Sequence, residues 1–386
     1  MGQPVTGRKR ASRDMNLLLF NLRTDADDTS LGFTTSWIKL LAAHFARVFV
    51  VTMHVGRLEV PSNVSVYSIS EGRDSRLSKL AGFYRLVWRL TSQERIDVCF
   101  SHMSPLLAVL FSPLAKRRRI PILLWYAHGS VPLDLRLAHR FVDRCVTSTP
   151  LGFRLPSRKL FVLSQGIDVD RFLPPSTRPP GYDQTIVCVS RLTPRKNVDQ
   201  TIEAVRLVRE DGVLGVRALV VGSPLTLRDR EYVEHLQAQI AESGLGEVVE
   251  LRGPLPFDRV HEVYRLGSIF VNLSETDSLD KAILEGMACG CIPVSRNRSF
   301  VRIARAEGLA DLVAGTNAES VASAIRGVID LPEPEKDALR DRLRGLVVRN
   351  HSLKGLIEQV VYHLDELARS ASCRAAGRLA RENGRS

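Results

Sequence analysis

Arg191 and Lys196 lie on one short stretch, Ser190-Arg191-Leu192-Thr193-Pro194-Arg195-Lys196, between a β-rich run (186–190) and an amphipathic one (198–209). Two fixed cations on a strand-to-helix connection suit a phosphate. A departing diphosphate gains negative charge, and Arg and Lys neutralise it without a metal. Two solvated surface charges are the competing reading, which this spacing alone does not separate. A second group follows the β-rich run 269–273. Asp277, Ser278, Leu279, Asp280 and Lys281 lead into a helix that carries Glu285 among Ile283, Leu284, Met287 and Ala288. A carboxylate among apolar neighbours is costly unless paired or hydrogen-bonded. Ribose hydroxyls would serve, and Lys281, one turn earlier, is the competing partner. The start of this helix, placed at 278–281, offers free N–H groups and a positive dipole end to a phosphate. Asp277 before it can accept from sugar hydroxyls. Gly222, closing the run 217–222, is counted with the donor-side positions.

The amino-terminal half is less explicit. His128 ends the buried-looking run Ile122-Leu123-Leu124-Trp125-Tyr126-Ala127 and precedes Gly129. A polar ring there would face a ligand, or would be a satisfied structural histidine. His102, after the run 97–101, is an acceptor-side candidate. Asp25-Ala26-Asp27 has the form of a metal-binding D-x-D, but an acidic surface loop is the preferred reading. No Cys or His spacing completes a zinc site.

The elements that must position these residues alternate. β-rich runs at 16–22, 48–52, 64–68, 97–101, 120–126, 145–147 and 160–163 are separated by helical stretches at 34–47, 76–90, 105–117 and 133–142. Alternation of this kind predicts a parallel sheet covered on both faces. A Pro-rich break at 171–183 contains Pro174, Pro175, Pro179 and Pro180, which interrupt helix and sheet. The alternation then restarts. Strands are expected at 186–190, 217–222, 248–252, 269–273 and 292–295, with helices between them. Asn197 with Gln200 fits an N-cap pair for the helix at 198–209. The expected organisation is a basic leader (1–14), a first Rossmann-like domain (15–170), a hinge (171–183), a second Rossmann-like domain (184–350), a helix at 351–369 that crosses back to the first, and a flexible tail (370–386). Such sheets bind ligands at the carboxyl ends of their strands, so two of them facing each other would enclose a cleft.

Arg191 and Lys196, then Asp277-x7-Glu285 within the run ending Leu284-Glu285-Gly286-Met287-Ala288-Cys289-Gly290, closely resemble glycosyltransferase family 4. Gln165-Gly166-Ile167-Asp168-Val169-Asp170-Arg171-Phe172 resembles that family's G-[VI]-D-x-x-x-F segment. The resemblance covers roughly residues 15–365 and implies an α/β GT-B fold and transfer of a sugar from a nucleotide-sugar with retention of configuration. By position it implies that Arg191 and Lys196 bind the donor diphosphate, that Glu285 holds the ribose, and that Asp277 stands where the family has the first Glu of E-x7-E. It also implies that Gly32 and Phe33, after the first strand, form the family's glycine-bearing loop, and that His128 contacts the donor sugar. The sequence departs from the family at Asp277-Ser278-Leu279-Asp280, where E-G-F-G is usual. Asp280 adds a negative charge near the expected phosphate, which Lys281 could offset. No cofactor and no metal are expected.

The chain of 386 residues carries a net charge of +12. Residues 1–180 hold 26 Lys/Arg against 13 Asp/Glu, and residues 181–386 hold 28 against 29, so the excess is confined to the first half. An anionic partner for that half is one reading, solvated faces the other. The stretch 76–90 could lie in an anionic membrane interface through Leu80, Phe83, Tyr84, Val87 and Trp88, with Arg76, Lys79, Arg85 and Arg89 beside them and the run 116–119 adding charge. The expected partners are a nucleotide-sugar and a saccharide or lipid-linked acceptor. Basic residues do not interleave with a nucleic-acid recognition motif, and no strand is followed by G-x-G-x-x-G. Six cysteines without a C-x-x-C pair fit a reducing compartment. No stretch approaches the ~18 apolar residues of a membrane span, and 17–20 is too short for a signal-peptide core. The expected location is the cytoplasm, with a peripheral position on the inner face of the plasma membrane.

Overall fold

A computed structural model describes residues 14–29, 31–72 and 75–383, with side chains through Arg374. Of the basic leader, only Asp14 lies within them. The chain divides into two compact units. One holds the described residues up to Leu163 and those from Lys354 onward, and the other is Ser164–Leu353.

The first unit runs β1 (Asn16–Thr24), α1 (Phe33–Ala42), β2 (Arg47–Val55), β3 (Val64–Ser68), α2 (Arg76–Gln93), β4 (Val98–His102), α3 (Pro105–Arg118), β5 (Ile122–Trp125), α4 (Leu133–Phe141), β6 (Arg144–Thr147) and β7 (Leu160–Val162). The seven strands form one sheet in the order β3-β2-β1-β4-β5-β6-β7. All pairs are parallel. The apolar runs Leu17–Phe20 and Val48–Val51 are buried along their whole length, as a sheet covered on both faces requires. The second unit runs β8 (Thr185–Val189), α5 (Val198–Glu210), β9 (Arg217–Val221), α6 (Leu227–Glu242), β10 (Val249–Leu251), α7 (Val260–Tyr264), β11 (Ile269–Asn272), α8 (Lys281–Ala288), β12 (Ile292–Ser295), α9 (Arg298–Ala306), α10 (Ala318–Asp330) and α11 (Glu333–His351). Its parallel sheet has the order β10-β9-β8-β11-β12. α12 (Leu353–Asn383) follows, and from Lys354 it belongs with the first unit. There Arg144 donates to Glu366 Oε2 (2.8 Å) and to His363 Nδ1, and Phe161 packs on the His363 ring (centroids 4.7 Å).

Four expectations are corrected. The units divide after Leu163, so the Pro-rich 171–183 segment is part of the second unit and not a hinge. Phe172 is fully buried against Phe257 and Tyr264, and Arg265 donates to the carbonyls of Arg171 and Leu173. The tail expected from residue 370 is helical to Asn383, since Ala, Arg and Leu there are strong helix formers. Asn197 is the N-cap of α5 but makes no side-chain cap bond. It sits in the left-handed region (φ 51°), which Asn tolerates, and its Nδ2 donates instead to Leu273 O. The stripe expected on α2 splits: Phe83 and Val87 enter the core, while Leu80, Tyr84 and Trp88 are exposed together with Leu77.

His363 is buried and His351 half-buried, and desolvation holds both imidazoles down to about 4; Arg144 adds to the effect on His363. The folded rings are therefore neutral where unfolded ones take up a proton. Stability is complete above the ordinary value near 6.5 and falls as pH drops toward about 4, by roughly 1.4 kcal/mol per pH unit for each ring. Denaturant midpoints between pH 7 and 5 should decline more steeply for the parent than for a His351→Gln/His363→Gln variant. Parallel curves would refute neutral burial.

Candidate active site

In the second unit, β8 and β11 are adjacent, so the loops leaving their carboxyl ends are neighbours. The loop after β8 turns sharply. Ser190 N donates to Val221 O (3.0 Å), Leu192 N to Ser223 O (3.1 Å), and the Leu192 side chain is buried. Gly222 is required by this turn: a Cβ there would come within 1.8 Å of the Ser190 carbonyl oxygen. Arg191 is left exposed, and its guanidinium has no ion pair among the described residues. Pro194–Lys196 forms one 3-10 turn that brings Lys196 back toward the sheet.

Lys196 meets the second loop there. Its Nζ lies 2.6 Å from Asp280 Oδ2, with side chains 12% and 25% exposed. The same oxygen accepts from Asn272 Nδ2 (3.2 Å) and lies 2.7 Å from Ser274 Oγ. Burial alone would raise the Asp280 pKa. The Lys196 charge and these hydrogen bonds outweigh it and hold the carboxyl below its ordinary range. Asp280 is thus a bound counter-ion to Lys196, a role expected of neither residue from sequence, where Lys281 was the expected offset.

Asp280 is also the N-cap of α8, which begins at Lys281, the last residue of the expected 278–281 start. Leu279 is drawn into the core, and its carbonyl accepts from Gln165 Nε2 (2.9 Å). Ser278 O accepts from Asn297 Nδ2 (3.0 Å). Asp277 Oδ1 accepts from Arg298 on α9 (3.1 Å), and its carbonyl from Ser299 Oγ. One turn into α8, Glu285 is 6% exposed, and its Oε2 accepts from the buried Tyr264 hydroxyl (3.1 Å). Burial raises the Glu285 pKa, partly opposed by Lys281, whose own ammonium is lowered by burial. The loops after β8 and β11 thus put Lys196, Asp280, Lys281 and Glu285 at one helix start, beside the turn that carries Arg191.

Sequence reasoning missed the residues that hold this edge. Arg296, buried, donates to Leu273 O (3.0 Å), Gln200 Oε1 (2.9 Å) and Thr316 O (2.9 Å), and lies 3.3 Å from Glu275 Oε1. Asn297 Nδ2 also donates to Thr276 O (3.0 Å). The signal was available: Arg296-Asn297 follows the buried run of β12 as Ser190-Arg191 follows β8.

In the first unit, Gly32 lies after β1, His102 ends β4 and His128 follows β5, all at the carboxyl edge of three adjacent strands. Gly32 is the N-cap of α1. His102 is buried among rings, with its centroid 4.6 Å from Trp37 and 6.0 Å from Phe33. His128 is exposed. Its Nδ1 accepts from Ser130 N (3.1 Å), which leaves the proton of the neutral ring on Nε2. The D-x-D pattern has structural partners: Asp25 Oδ1 accepts from the N–H groups of Asp27 and Arg57, and Asp27 pairs with Arg57 (2.7 Å).

Residues 170–344 match the family model described as Glycosyl transferases group 1. The chain is 30% identical over 200 residues to a phosphatidylinositol N-acetylglucosaminyltransferase subunit of Arabidopsis thaliana, covering 52% of this chain and 43% of that protein. It is 28% identical over 242 residues to a GDP-mannose-dependent alpha-(1-6)-phosphatidylinositol monomannoside mannosyltransferase of Mycolicibacterium smegmatis, covering 55% and 61%. The chain thus spans about half the length of the curated relatives it matches. Among solved structures, HepE of Anabaena in complex with UDP and glucose aligns with a TM-score of 0.69 at 16% identity, covering 91% of this chain and 99% of that one. Sucrose-phosphate synthase of Thermosynechococcus elongatus aligns at 0.73 and 14%, covering 92% and 100%. Likeness at that identity shows the fold, which is GT-B. The stretch that carries Arg191, Lys196, Asp277 and Glu285 lies wholly within residues 170–344, the segment that matches the glycosyl transferases group 1 model.

Proposed function

We propose that the chain transfers a sugar from a UDP- or GDP-sugar to a saccharide or lipid-linked acceptor, with retention of configuration and without a metal. The observation that carries this reading is the Lys196 ammonium held at the start of the helix bearing Glu285, beside Arg191. In this reading Arg191 and Lys196 take up the charge of the departing nucleoside diphosphate, and Glu285 accepts from the ribose hydroxyls. Asp277 contacts the donor sugar. No side chain is assigned as a covalent nucleophile, so the acceptor hydroxyl attacks on the leaving-group face and a phosphate oxygen takes its proton. The names of relatives support the substrate classes: the HepE neighbour is solved with UDP, the mycolicibacterial relative is GDP-mannose-dependent, and both it and the Arabidopsis relative name phosphatidylinositol. Two further relatives are named for colanic acid biosynthesis, which supports a role in surface polysaccharide or glycolipid synthesis. A cytoplasmic protein resting on the inner membrane face belongs to the same proposal, supported by the exposed Leu77, Tyr84 and Trp88 of α2.

A melting screen against UDP-, GDP- and ADP-sugars tests the donor. A ligand at about a hundred times its Kd adds about 2.7 kcal/mol, a rise of several degrees. UDP- or GDP-sugars should give it with EDTA present; no rise with any nucleotide-sugar would refute the assignment. The Lys196–Asp280 pair, placed where the family has glycine, favours a second reading as a donor-binding protein without transferase turnover, or an epimerase or hydrolase. Product analysis with and without acceptor separates these.

A further inference from the structure

At the amino edge of the first unit's sheet, opposite the loops of Gly32, His102 and His128, lies a cavity of about 510 Å³. Three helices contribute cations to its lining: Lys116 and Arg119 from the end of α3, Arg140 from the end of α4, and Arg374 from α12. The acid in the lining is Asp143, and its Oδ2 is engaged by the Ile122 N–H (2.8 Å). None of the four cations has an ion pair among the described residues. Basic residues in a last helical turn answer to the helix dipole, which accounts for Lys116 and Arg140. It does not account for Arg374, well inside α12. Arg119 caps α3 in the left-handed region (φ 59°), a conformation Gly or Asn normally fills. Four like charges around one concavity repel one another unless an anion occupies it, and paired guanidinium forks match the oxygens of a phosphate.

We propose that this cavity is a second anion site, separate from the donor loops, that takes a phosphate group, either free or borne on a lipid headgroup. The test is calorimetric titration of the full chain with inorganic phosphate at low salt, alongside flotation with phosphatidylglycerol or phosphatidylcholine vesicles. Arg119→Ala/Arg374→Ala should weaken binding by more than about tenfold, since each charge-assisted contact is worth roughly a factor of ten. Arg119→Lys/Arg374→Lys should recover most of it, and Arg191→Ala, which alters the donor loop, should leave it in place. Loss of phosphate binding in the alanine variant supports the site with a free phosphate. Selective loss of flotation on phosphatidylglycerol supports it with a headgroup. Binding of both probes unchanged by the alanine substitutions, or no binding of either by the parent, overturns it. All four side chains are exposed, so a parent-like circular dichroism melt is the folding control.

Discussion

Arg191→Ala is expected to lower turnover at saturating donor by about two to three orders of magnitude while the melting temperature stays at the parent's value. The first half follows from the proposed role. A donor aimed at charge that develops only in the transition state is worth about 3 kcal/mol, and its loss falls on kcat and kcat/KM alike. The second half follows from the fold. The Arg191 side chain is exposed and without an ion pair among the described residues, and what the turn needs from this residue is backbone: its carbonyl accepts from Thr193 N–H (3.1 Å). Alanine keeps that bond. Arg191→Lys should retain part of the rate, as a point charge without the bidentate fork. Turnover of the alanine variant within a fewfold of the parent would remove Arg191 from the mechanism. A large fall in melting temperature would show instead that the guanidinium has a structural partner.

The β/α alternation was legible because buried parallel strands write themselves as short apolar runs. Val64–Ser68 and Ile292–Ser295 match the expected bounds, and the other strands differ at their ends by one to three residues, most at β2, which runs on to Val55 past the expected 52. Helix starts were less legible where a side chain sets them from outside the periodic pattern. Thr226 and Asp229 form a capping box that starts α6 at the exposed Leu227, ahead of the first buried residue of its apolar face, Tyr232. Leu279 reads as the first apolar residue of α8, yet it enters the core before the helix begins. The Pro-rich segment misled for a similar reason: proline marks a break in regular structure but does not say which unit the broken stretch packs on, and Phe172 and Tyr182 decide that. The chemistry-bearing types were legible, because a strand end followed by Arg, Lys or Asp is unusual against its apolar surroundings. Their pairing was not. Lys196 and Asp280 are 84 residues apart, and nothing in local spacing distinguishes Asp280 as the partner of Lys196 from Asp280 as an obstacle to phosphate.

That pair yields a second large effect. Lys196→Met is expected to destabilise the second unit by about 2–3 kcal/mol and to abolish detectable transfer. It strands a mostly buried carboxylate served, among the described residues, by Asn272 and Ser274, and breaking one side of such a pair costs more than the pair contributes. Asp280→Asn tests the other side. An amide preserves shape, and the freed ammonium, no longer shared with a carboxylate, should bind the donor diphosphate more tightly by up to about tenfold, one lost like-charge contact. Lys196→Met/Asp280→Asn should recover most of the stability lost in Lys196→Met, because neither residue is then an unpaired charge, but none of the turnover. Urea midpoints and donor titrations on the three variants close the cycle, whose coupling should be about 1–3 kcal/mol. A double variant as unstable as Lys196→Met would deny the ion pair its structural role. Recovery of turnover together with stability would assign Lys196 to holding the loop alone, leaving Arg191 to face the diphosphate without it. The two readouts therefore separate a cation that is stored by Asp280 until a donor arrives from one that only staples two loops together.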